Sequence, residues 1–457
     1  MANIFNKLIY KMRNFKPGQV LILGFASVIT IGTILLILPF ATTASENLNP
    51  VDALFTATSA VCVTGLIVEN TGVAFTLFGQ IVIIVLIQIG GLGFMTMASL
   101  IFMMIGKRIS LRERLIIQEA YNLESTQGVV RLVRTAITIT FTTEFIGAAI
   151  ISIRMIKQFG ISKGIYQSIF LSVSAFCNAG FDALGQEASL REYVTDPIIN
   201  ITIMCLISFG GLGFPVFIDI LRKRRFSRLM IHSKVVLLVS ATLFVLGALL
   251  IGILEWNNEK TLGSFSSPVK VLASCFQSVT LRTAGFETIP QGDLTPSSTL
   301  VSTILMFIGA SPASTGGGIK TSTFFIVLLA IFTTVKGKQE CNIFRRSINQ
   351  QVVRKAYTIA ALALCLVLVD TVVISAVENI TNGTRTLSQI LFEVVSAFGT
   401  VGLSTGITGG LYWISKIIII ITMFIGRLGP LTLSMAISGA SSKREALHYP
   451  EERIIIG

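Results

Sequence analysis

Long apolar runs alternate with short polar segments along the whole chain. A helix that spans a membrane needs roughly 20 mostly apolar residues, and eight runs reach that length. The eight runs cover residues 20–40, 77–105, 133–155, 197–221, 235–255, 299–334, 356–378 and 412–439. The pattern therefore predicts an all-α membrane protein with eight spanning helices.

A shorter, half-apolar segment lies between the two members of each pair of runs. These four segments cover residues 51–62, 164–177, 266–280 and 385–398. They are too short to span a bilayer, but half-helices that enter and leave on one side are tolerated where protein covers them or water reaches them. Each pair of runs is thus predicted to form one helix–half-helix–helix unit.

Basic residues are concentrated before, between and after these pairs. Residues 1–17, 106–134, 221–235, 335–355 and 441–457 hold 25 of the 36 lysines and arginines. Because basic segments stay in the cytoplasm, both termini are predicted to be cytoplasmic and the half-helices to enter from outside. This asymmetry explains the net charge of +13, so a lipid membrane and no nucleic acid is the expected partner.

Composition excludes two broad classes. With 52% hydrophobic and only 13% charged residues, a soluble protein of this size could not cover its core with a polar surface. The chain has two histidines, and its six cysteines form no CxxC pair, so metal clusters and enzyme activity are not expected.

The half-helices share one motif, which indicates an internal repeat. Aligned on a glycine, the four copies read SAVCVTGL, SAFCNAGF, VTLRTAGF and SAFGTVGL, with the glycine at Gly65, Gly180, Gly285 and Gly402. A second glycine motif follows 25, 30, 24 and 24 residues later: IGGLGF, FGGLGF, IGASPA and IGRLGP. The second motif also suits plain close packing of membrane helices.

This pattern suits a cation pathway. Backbone carbonyls can replace the water shell of a dehydrated cation, and glycine permits the unusual dihedral angles that aim successive carbonyls at one axis. Thr400-Val401-Gly402 also matches the start of the potassium-channel filter sequence TVGYG.

The chain resembles the Trk/Ktr/HKT superfamily of potassium transporters over nearly its whole length, and it is most similar to the bacterial Ktr membrane subunits. The resemblance rests on SAFCNAGF, TLRTAGF, SAFGTVGL, IQIGGLGF and FIGRLGPLT. It implies potassium uptake across the cell membrane through four tandem helix–pore loop–helix repeats in a pseudo-fourfold arrangement around one pore. It also implies a homodimer with Gly457 at the dimer interface, and a cytoplasmic ring of regulator subunits of the RCK/KTN type that alone bind nucleotide.

The repeats and this resemblance divide the chain into six parts. These are a cytoplasmic N-terminal segment (1–19), repeat 1 (20–108), repeat 2 (109–225), repeat 3 (226–340), repeat 4 (341–442) and a cytoplasmic tail (443–457). The residues expected to bind K⁺ at filter carbonyls are Cys62, Val63, Thr64, Gly65, Cys177, Asn178, Ala179, Gly180, Arg282, Thr283, Ala284, Gly285, Gly399, Thr400, Val401 and Gly402. Because Arg282 would oppose a cation, its side chain is expected to point behind the filter and pair with a carboxylate or carbonyls.

Two features indicate a gate. The sequence GASPASTGGGIKTS at 309–322 cannot continue a straight helix, and the resemblance implies a gating loop there, with a simple helix kink as the alternative. Arg427 is costly within a membrane helix and is expected to face the pore or this loop rather than a membrane interface. The gate residues so assigned are Gly309, Ala310, Ser311, Pro312, Ser314, Thr315, Gly316, Gly317, Gly318, Lys320 and Arg427.

A second class of function stays open. Ion-coupled secondary transporters with alternating access, for another cation or a small solute, also contain broken helices and repeats. Their repeats usually number two, which favours the pore. The sequence leaves open whether uptake is channel-like or a symport with Na⁺.

Overall fold

The computed structural model describes residues 17–43, 48–104, 110–120, 127–185, 189–338, 340–381 and 384–430. Within these ranges the chain is almost wholly helical. The α-helices are α1 (Pro17–Ile37), α2 (Pro50–Cys62), α3 (Thr71–Ala74), α4 (Leu77–Leu92), α5 (Phe94–Met104), α6 (Leu111–Ala120), α7 (Val129–Phe159), α8 (Ile161–Cys177), α9 (Pro197–Leu212), α10 (Phe214–Lys223), α11 (Ile231–Glu255), α12 (Ser267–Thr280), α13 (Pro296–Phe307), α14 (Thr321–Val335), α15 (Gln350–Ile380), α16 (Leu387–Gly399) and α17 (Trp413–Leu428). Two short strands, β1 (Asn342–Ile343) and β2 (Arg346–Ser347), form an antiparallel hairpin between α14 and α15.

Four helices are long and apolar enough to cross a membrane alone among the described residues: α1, α7, α11 and α15. Only 22–33% of the most apolar stretch of each is buried by the rest of the protein. Their exposed side chains are largely hydrophobic; Phe145 on α7 is 76% exposed and Ile253 on α11 is 73% exposed. Apolar surface of this extent suits contact with lipid.

The helices between these long ones begin at local signals in the sequence. Proline occupies the first turn of α2, α9, α12 and α13, where its missing N–H costs no hydrogen bond. The side chain of Asp196 accepts hydrogen bonds from the N–H groups of Ile198 (3.0 Å) and Ile199 (3.3 Å) at the start of α9. Thr386 and Gln389 form a reciprocal capping box at the start of α16, which satisfies two otherwise unpaired N–H groups.

Four short helices, α2, α8, α12 and α16, lie where the half-apolar segments were predicted. In contrast to the long helices, they form the centre of the protein. Each carries a fully buried phenylalanine at the same helical position: Phe55, Phe170, Phe276 and Phe392. These lie 10, 10, 9 and 10 residues before the motif glycine, so the third copy has one residue fewer between its phenylalanine and its glycine.

The prediction of unbroken second helices is wrong. The chain breaks at Gly93 within 77–105, at Gly213 within 197–221 and at Gly429 within 412–439. The three glycines share one left-handed conformation, with φ of 81°, 89° and 87° and ψ of 136°, 136° and 134°. The axes of α9 and α10 differ by 94° across Gly213.

The break predicted in the third unit is present and slightly shorter than expected. Helix α13 ends at Phe307 and α14 begins at Thr321, whereas the sequence suggested an irregular segment over 309–322. The second helices of the first three units are therefore interrupted near the second glycine motif, with a long interruption in the third, and the fourth ends at the same motif within the described residues.

Candidate functional site

Each short helix leads directly into a left-handed backbone turn. The motif glycines Gly65, Gly180, Gly285 and Gly402 have φ of 88°, 68°, 78° and 93°. Two residues before each glycine, the backbone is also left-handed, with φ of 56°, 60°, 70° and 52° at Val63, Asn178, Thr283 and Thr400. Such angles are rare for residues with branched side chains, so the surrounding packing must hold these turns in place.

Hydrogen bonds to the helix ends fix the turns. At the end of α2, the N–H of Thr64 donates to the carbonyl of Ser59 (2.8 Å), and the matching bond from Val401 to Ser396 closes α16 (2.8 Å). The serine hydroxyls add a second tie, because Ser59 Oγ accepts from the N–H of Gly65 (3.1 Å). This bond gives a physical reason for Ser59, six residues before its glycine, whereas the buried hydroxyl of Ser174 in the second copy makes no hydrogen bond to the described residues.

The equivalent tie recurs at the fourth turn and differs at the third. Ser396 Oγ accepts from the N–H of Gly402 (3.0 Å). The third copy has Val279 at the serine position, and there Thr280 Oγ1 donates to the carbonyl of Phe286 instead (2.7 Å). Two kinds of hydroxyl contact thus support the same turn.

The four motif glycines contact one another in a closed order, which we call the glycine ring. A methyl group added to Gly180 would lie 2.8 Å from the carbonyl oxygen of Ala284, and one added to Gly285 would lie 2.5 Å from that of Val401. At each of the four glycines, the atom that an added methyl group would meet first is the carbonyl oxygen of the residue before the next glycine in the ring. These carbonyls belong to Ala179, Ala284, Val401 and Thr64. No side chain larger than hydrogen fits at the ring without displacing a carbonyl.

One face of the glycine ring opens into a cavity of about 510 Å³. Its walls include the carboxylates of Asp182, Glu287 and Asp293 and the guanidinium of Arg191. Arg191 pairs with Glu287 at 2.7 Å. Burial raises the pKa of Asp182 to about 6, although hydrogen bonds from the Leu184 N–H and from Ser189 oppose the shift. Above that pH the cavity carries excess negative charge, which attracts cations.

Residues 308–320, which we call the linker segment, lie against the ends of the short helices. The N–H of Gly317 donates to Thr400 Oγ1 (2.9 Å) in the fourth turn. Thr315 Oγ1 donates to the carbonyl of Phe176 (3.3 Å) near the end of α8. A methyl group on Gly316 would collide with the Thr283 hydroxyl of the third turn. The linker segment therefore contacts three of the four turns.

The linker segment is also bonded to the broken helices. Its residues Ser311 and Thr315 donate backbone N–H bonds to Gly211 (3.0 Å) and Gly210 (3.2 Å) of α9, and Gly318 donates to the carbonyl of Gly426 (3.3 Å) in α17. These partners are glycines of the second motif, namely Gly210 and Gly211 of FGGLGF and Gly426 of IGRLGP. Because glycine has no side chain, these residues let the linker segment approach the helices closely, in agreement with the close-packing role that the sequence suggested for the second motif.

Arg427 connects the linker segment to the first unit. Its guanidinium donates to the carbonyl of Thr315, to that of Gly90 and to that of Gly91 (3.2 Å). Lys320 Nζ donates to the carbonyl of Gly316 (2.5 Å). Both cationic groups line a second cavity of about 350 Å³, whose lining includes none of the ring glycines. The linker segment and Arg427 thus lie between the two cavities.

Comparison with known proteins identifies the group to which this arrangement belongs. The sequence profile of the TrkH cation transport proteins matches residues 10–444. The chain belongs to the TrkH cation transport protein family. The predicted membership of the Trk/Ktr/HKT superfamily is confirmed, and with it the predicted class of multi-pass membrane transport protein rather than enzyme.

Curated relatives and a solved structure extend this result. The TrkH-family chain is 43% identical to Ktr system potassium uptake protein B of Bacillus subtilis (98% of each chain) and 41% identical to potassium/sodium uptake protein NtpJ of Enterococcus hirae (97% of this chain, 98% of the relative). The crystal structure of the potassium transporter TrkH from Vibrio parahaemolyticus matches with a TM-score of 0.67 at 19% identity, over 90% of this chain and 84% of the other. That likeness supports the fold.

The predicted site residues of this TrkH-family chain lie in two adjacent groups. Residues 62–65, 177–180, 282–285 and 399–402 form the four turns, and 309–320 with Arg427 form the layer beneath them. Arg282 turns to α11, where it donates to the hydroxyl (3.2 Å) and carbonyl (3.4 Å) of Ser240. It thus has a carbonyl and a hydroxyl as partners. Gly457 lies outside the described residues.

Three acidic residues around the turns were not assigned a definite partner from the sequence. Asp52 at the start of α2 pairs with Lys416 of α17 (2.7 Å). Glu393 accepts hydrogen bonds from the Thr405 N–H (3.2 Å) and from the hydroxyls of Ser404 and Thr408, all in the loop after Gly402. The contacts of Asp52 and Glu393 thus stabilise the turns from positions outside the glycine ring.

The third acid, Glu144 of α7, lies behind the second turn. It accepts from Gln88 Nε2 (3.1 Å) and lies 3.8 Å from Cys177 Sγ. A carboxylate within a long apolar helix is a recognisable sequence signal, but its partners lie 56 and 33 residues away along the chain. Only the packing of α4, α7 and α8 brings them together.

Proposed function

We propose that this chain carries potassium ions into the cell along the axis of the glycine ring. Two of the relatives, from Bacillus subtilis and Enterococcus hirae, are named as potassium and potassium/sodium uptake proteins. The observation that carries the proposal is the ring itself, in which four backbone carbonyls each face the next of four glycines. Carbonyl dipoles bind a dehydrated cation without the full charge that would trap it.

The proposal includes a pore built from four repeats in pseudo-fourfold arrangement, with the bounds 20–108, 109–225, 226–340 and 341–442. The recurring order of long helix, short helix, left-handed turn and broken helix supports it. Filter carbonyls come from residues 62–65, 177–180, 282–285 and 399–402. The four turns differ in side chains, and α12 ends five residues before its glycine whereas the other short helices end three residues before theirs, so the filter is unequal on its four sides.

The linker segment and Arg427 act as the gate in this proposal. The linker segment contacts three turns and donates to a helix of the fourth unit, while Arg427 ties it to the first. A guanidinium beneath a cation filter opposes the passage of a second positive charge. Conduction then requires that the linker segment and the guanidinium move together.

Orientation and partners complete the proposal. The basic loops support cytoplasmic termini, so the cavity of about 510 Å³ with its acidic walls faces outward and collects K⁺. The family resemblance supports a homodimer with Gly457 at its interface, and a cytoplasmic ring of nucleotide-binding regulators that opens the gate. Nucleotide is bound by the regulators alone.

Growth of a potassium-uptake-deficient bacterium at low potassium tests the proposal. Wild type should restore growth and K⁺ accumulation with a regulator present, and Gly402→Ser should reduce K⁺ uptake at least about tenfold. Gly406→Ser is the matched control, because Gly406 has φ of 90° against 93° at Gly402 but a methyl group there meets nothing within 4 Å.

Surface expression of each variant is measured alongside uptake, and uptake is repeated with and without external Na⁺ to test sodium dependence. Equal uptake by wild type and Gly402→Ser would contradict the proposed filter. An equal loss in Gly406→Ser would assign the effect to backbone strain instead.

A further inference from the structure

Thr400 makes a contact that its backbone role does not require. Its hydroxyl oxygen accepts a hydrogen bond from the N–H of Gly317 (2.9 Å), and both residues are buried. The contact is tight, because a methyl group on Gly317 would lie 2.5 Å from Thr400 Oγ1. A buried backbone N–H needs a partner, and in the linker segment a side chain of the fourth turn supplies it.

The other three turns do not offer the same contact within the described residues. The side chains of Asn178 and Thr283 bond to one another, at 3.1 Å, and link the second turn to the third. Val63 in the first turn has no polar atom in its side chain. The hydroxyl of Thr400 is therefore the one side-chain acceptor that the left-handed positions provide to the backbone of the linker segment.

Neighbouring contacts also hold the linker segment close to the fourth unit. A methyl group on Gly318 would lie 3.2 Å from the Cα of Gly399. The N–H of Gly318 donates to Gly426 of α17 at 3.3 Å. The two successive N–H groups of Gly317 and Gly318 thus attach the segment to the fourth unit, one through a side chain and one through backbone.

We propose that the Thr400 hydroxyl is a latch that holds the linker segment closed beneath the filter, so that Thr400 is a positioning residue for the gate as well as a filter residue. This inference rests on the proposed function of the linker segment as a gate. When the segment moves aside, the Gly317 N–H leaves Thr400 and gains another partner or water. The filter turn itself keeps its own hydrogen bonds to α16.

Thr400→Val tests the latch with minimal change of shape. Valine keeps the branched side chain and removes the acceptor, so the Gly317 N–H remains unpaired in the closed state alone. Loss of one such bond corresponds to about a five- to tenfold shift toward the open state. The ratio of K⁺ uptake without a regulator to uptake with it should rise by that factor, because this ratio divides out any effect of the variant on the filter itself. The half-saturating K⁺ concentration is measured alongside it. Thr400→Ser changes the same filter position but keeps the hydroxyl, so it should keep the wild-type ratio of regulator-free to regulator-activated uptake.

The two measured parameters separate the latch from a filter defect. A change in half-saturating K⁺ or in preference over Na⁺, without higher regulator-free uptake, would overturn the latch and assign the side chain to the filter alone. Unchanged kinetics in Thr400→Val would also overturn it. If that variant does not reach the membrane, Thr400→Ala removes the same acceptor and must show the same rise. Absence of uptake by wild type with its regulator would instead refute the proposed function, and the latch with it.

Discussion

The ion pair between Asp52 and Lys416 joins the first short helix, α2, to the last described helix, α17. The two atoms are 2.7 Å apart, and the side chains are only 14% and 9% exposed. The residues lie 364 positions apart in sequence, so their contact depends on the folded arrangement. We predict that Lys416→Met and Asp52→Asn each destabilise the protein, and that the double variant recovers most of the loss.

The expected magnitude follows from burial. At this separation the attraction is about 6 kcal/mol with an effective dielectric constant of ~20, and desolvation of the two ions offsets much of it. Removal of one partner leaves a buried charge uncompensated and costs about 3–5 kcal/mol. For a chain of 457 residues, that corresponds to a fall in apparent melting temperature of about 3–5 °C.

Thermal unfolding of the detergent-solubilised protein, followed by fluorescence-detected size exclusion, measures this shift. Arg154→Gln is the control, because the Arg154–Asp196 pair has a similar distance of 2.8 Å but Arg154 is 44% exposed. An exposed pair contributes at most about 1 kcal/mol. If Lys416→Met shifts the melting temperature no more than Arg154→Gln, or if the double variant is as unstable as the sum of the single ones, the ion-pair reasoning is refuted.

Three further predictions address transport. Arg427→Gln loses charge-assisted bonds to the linker segment and should raise regulator-free K⁺ uptake about tenfold or more; lower uptake would contradict its role in the gate. Because burial raises the pKa of Asp182 to about 6, uptake at subsaturating K⁺ should fall roughly two- to threefold as the pH drops through 6. Asp182→Asn should lack that step and resemble the protonated wild type. Ser396→Ala leaves the Gly402 N–H unpaired and should weaken discrimination against Na⁺ in competition assays; unaltered discrimination would show that the serine bond is dispensable.

The four short helices and their glycine turns can be predicted because both are local features. The half-apolar segments match α2, α8, α12 and α16 to within three residues, and recurrence of the motif alone is enough to mark the glycines. The serine six residues upstream is visible as a pattern, and its physical reason is the hydrogen bond from the Gly65 N–H. Local sequence thus locates the turns well.

The breaks at Gly93, Gly213 and Gly429 could not be predicted because hydropathy carries no signal there. Apolar residues continue on both sides of Gly93, and a single glycine in a helix costs only about 1 kcal/mol. The break results from packing, since the preceding glycines press against the ends of the short helices; a methyl group on Gly90 would collide with the carbonyl of Val61. Such contacts are known only once α2 and α4 are placed together.

The breaks at Gly93 and Gly213, which have a helix on either side, also divide the protein mechanically. A continuous helix transmits bending and rotation along its length. A glycine with φ near 90° instead lets the two helices on either side change direction relative to each other. A pull on the helices beyond these breaks, from a bound regulator or from a change in bilayer thickness, would be absorbed at Gly93 and Gly213. We therefore expect the distances between the ring glycines to be the same in different conformations of the protein. The directions of the helices that follow the glycine breaks should differ between those conformations.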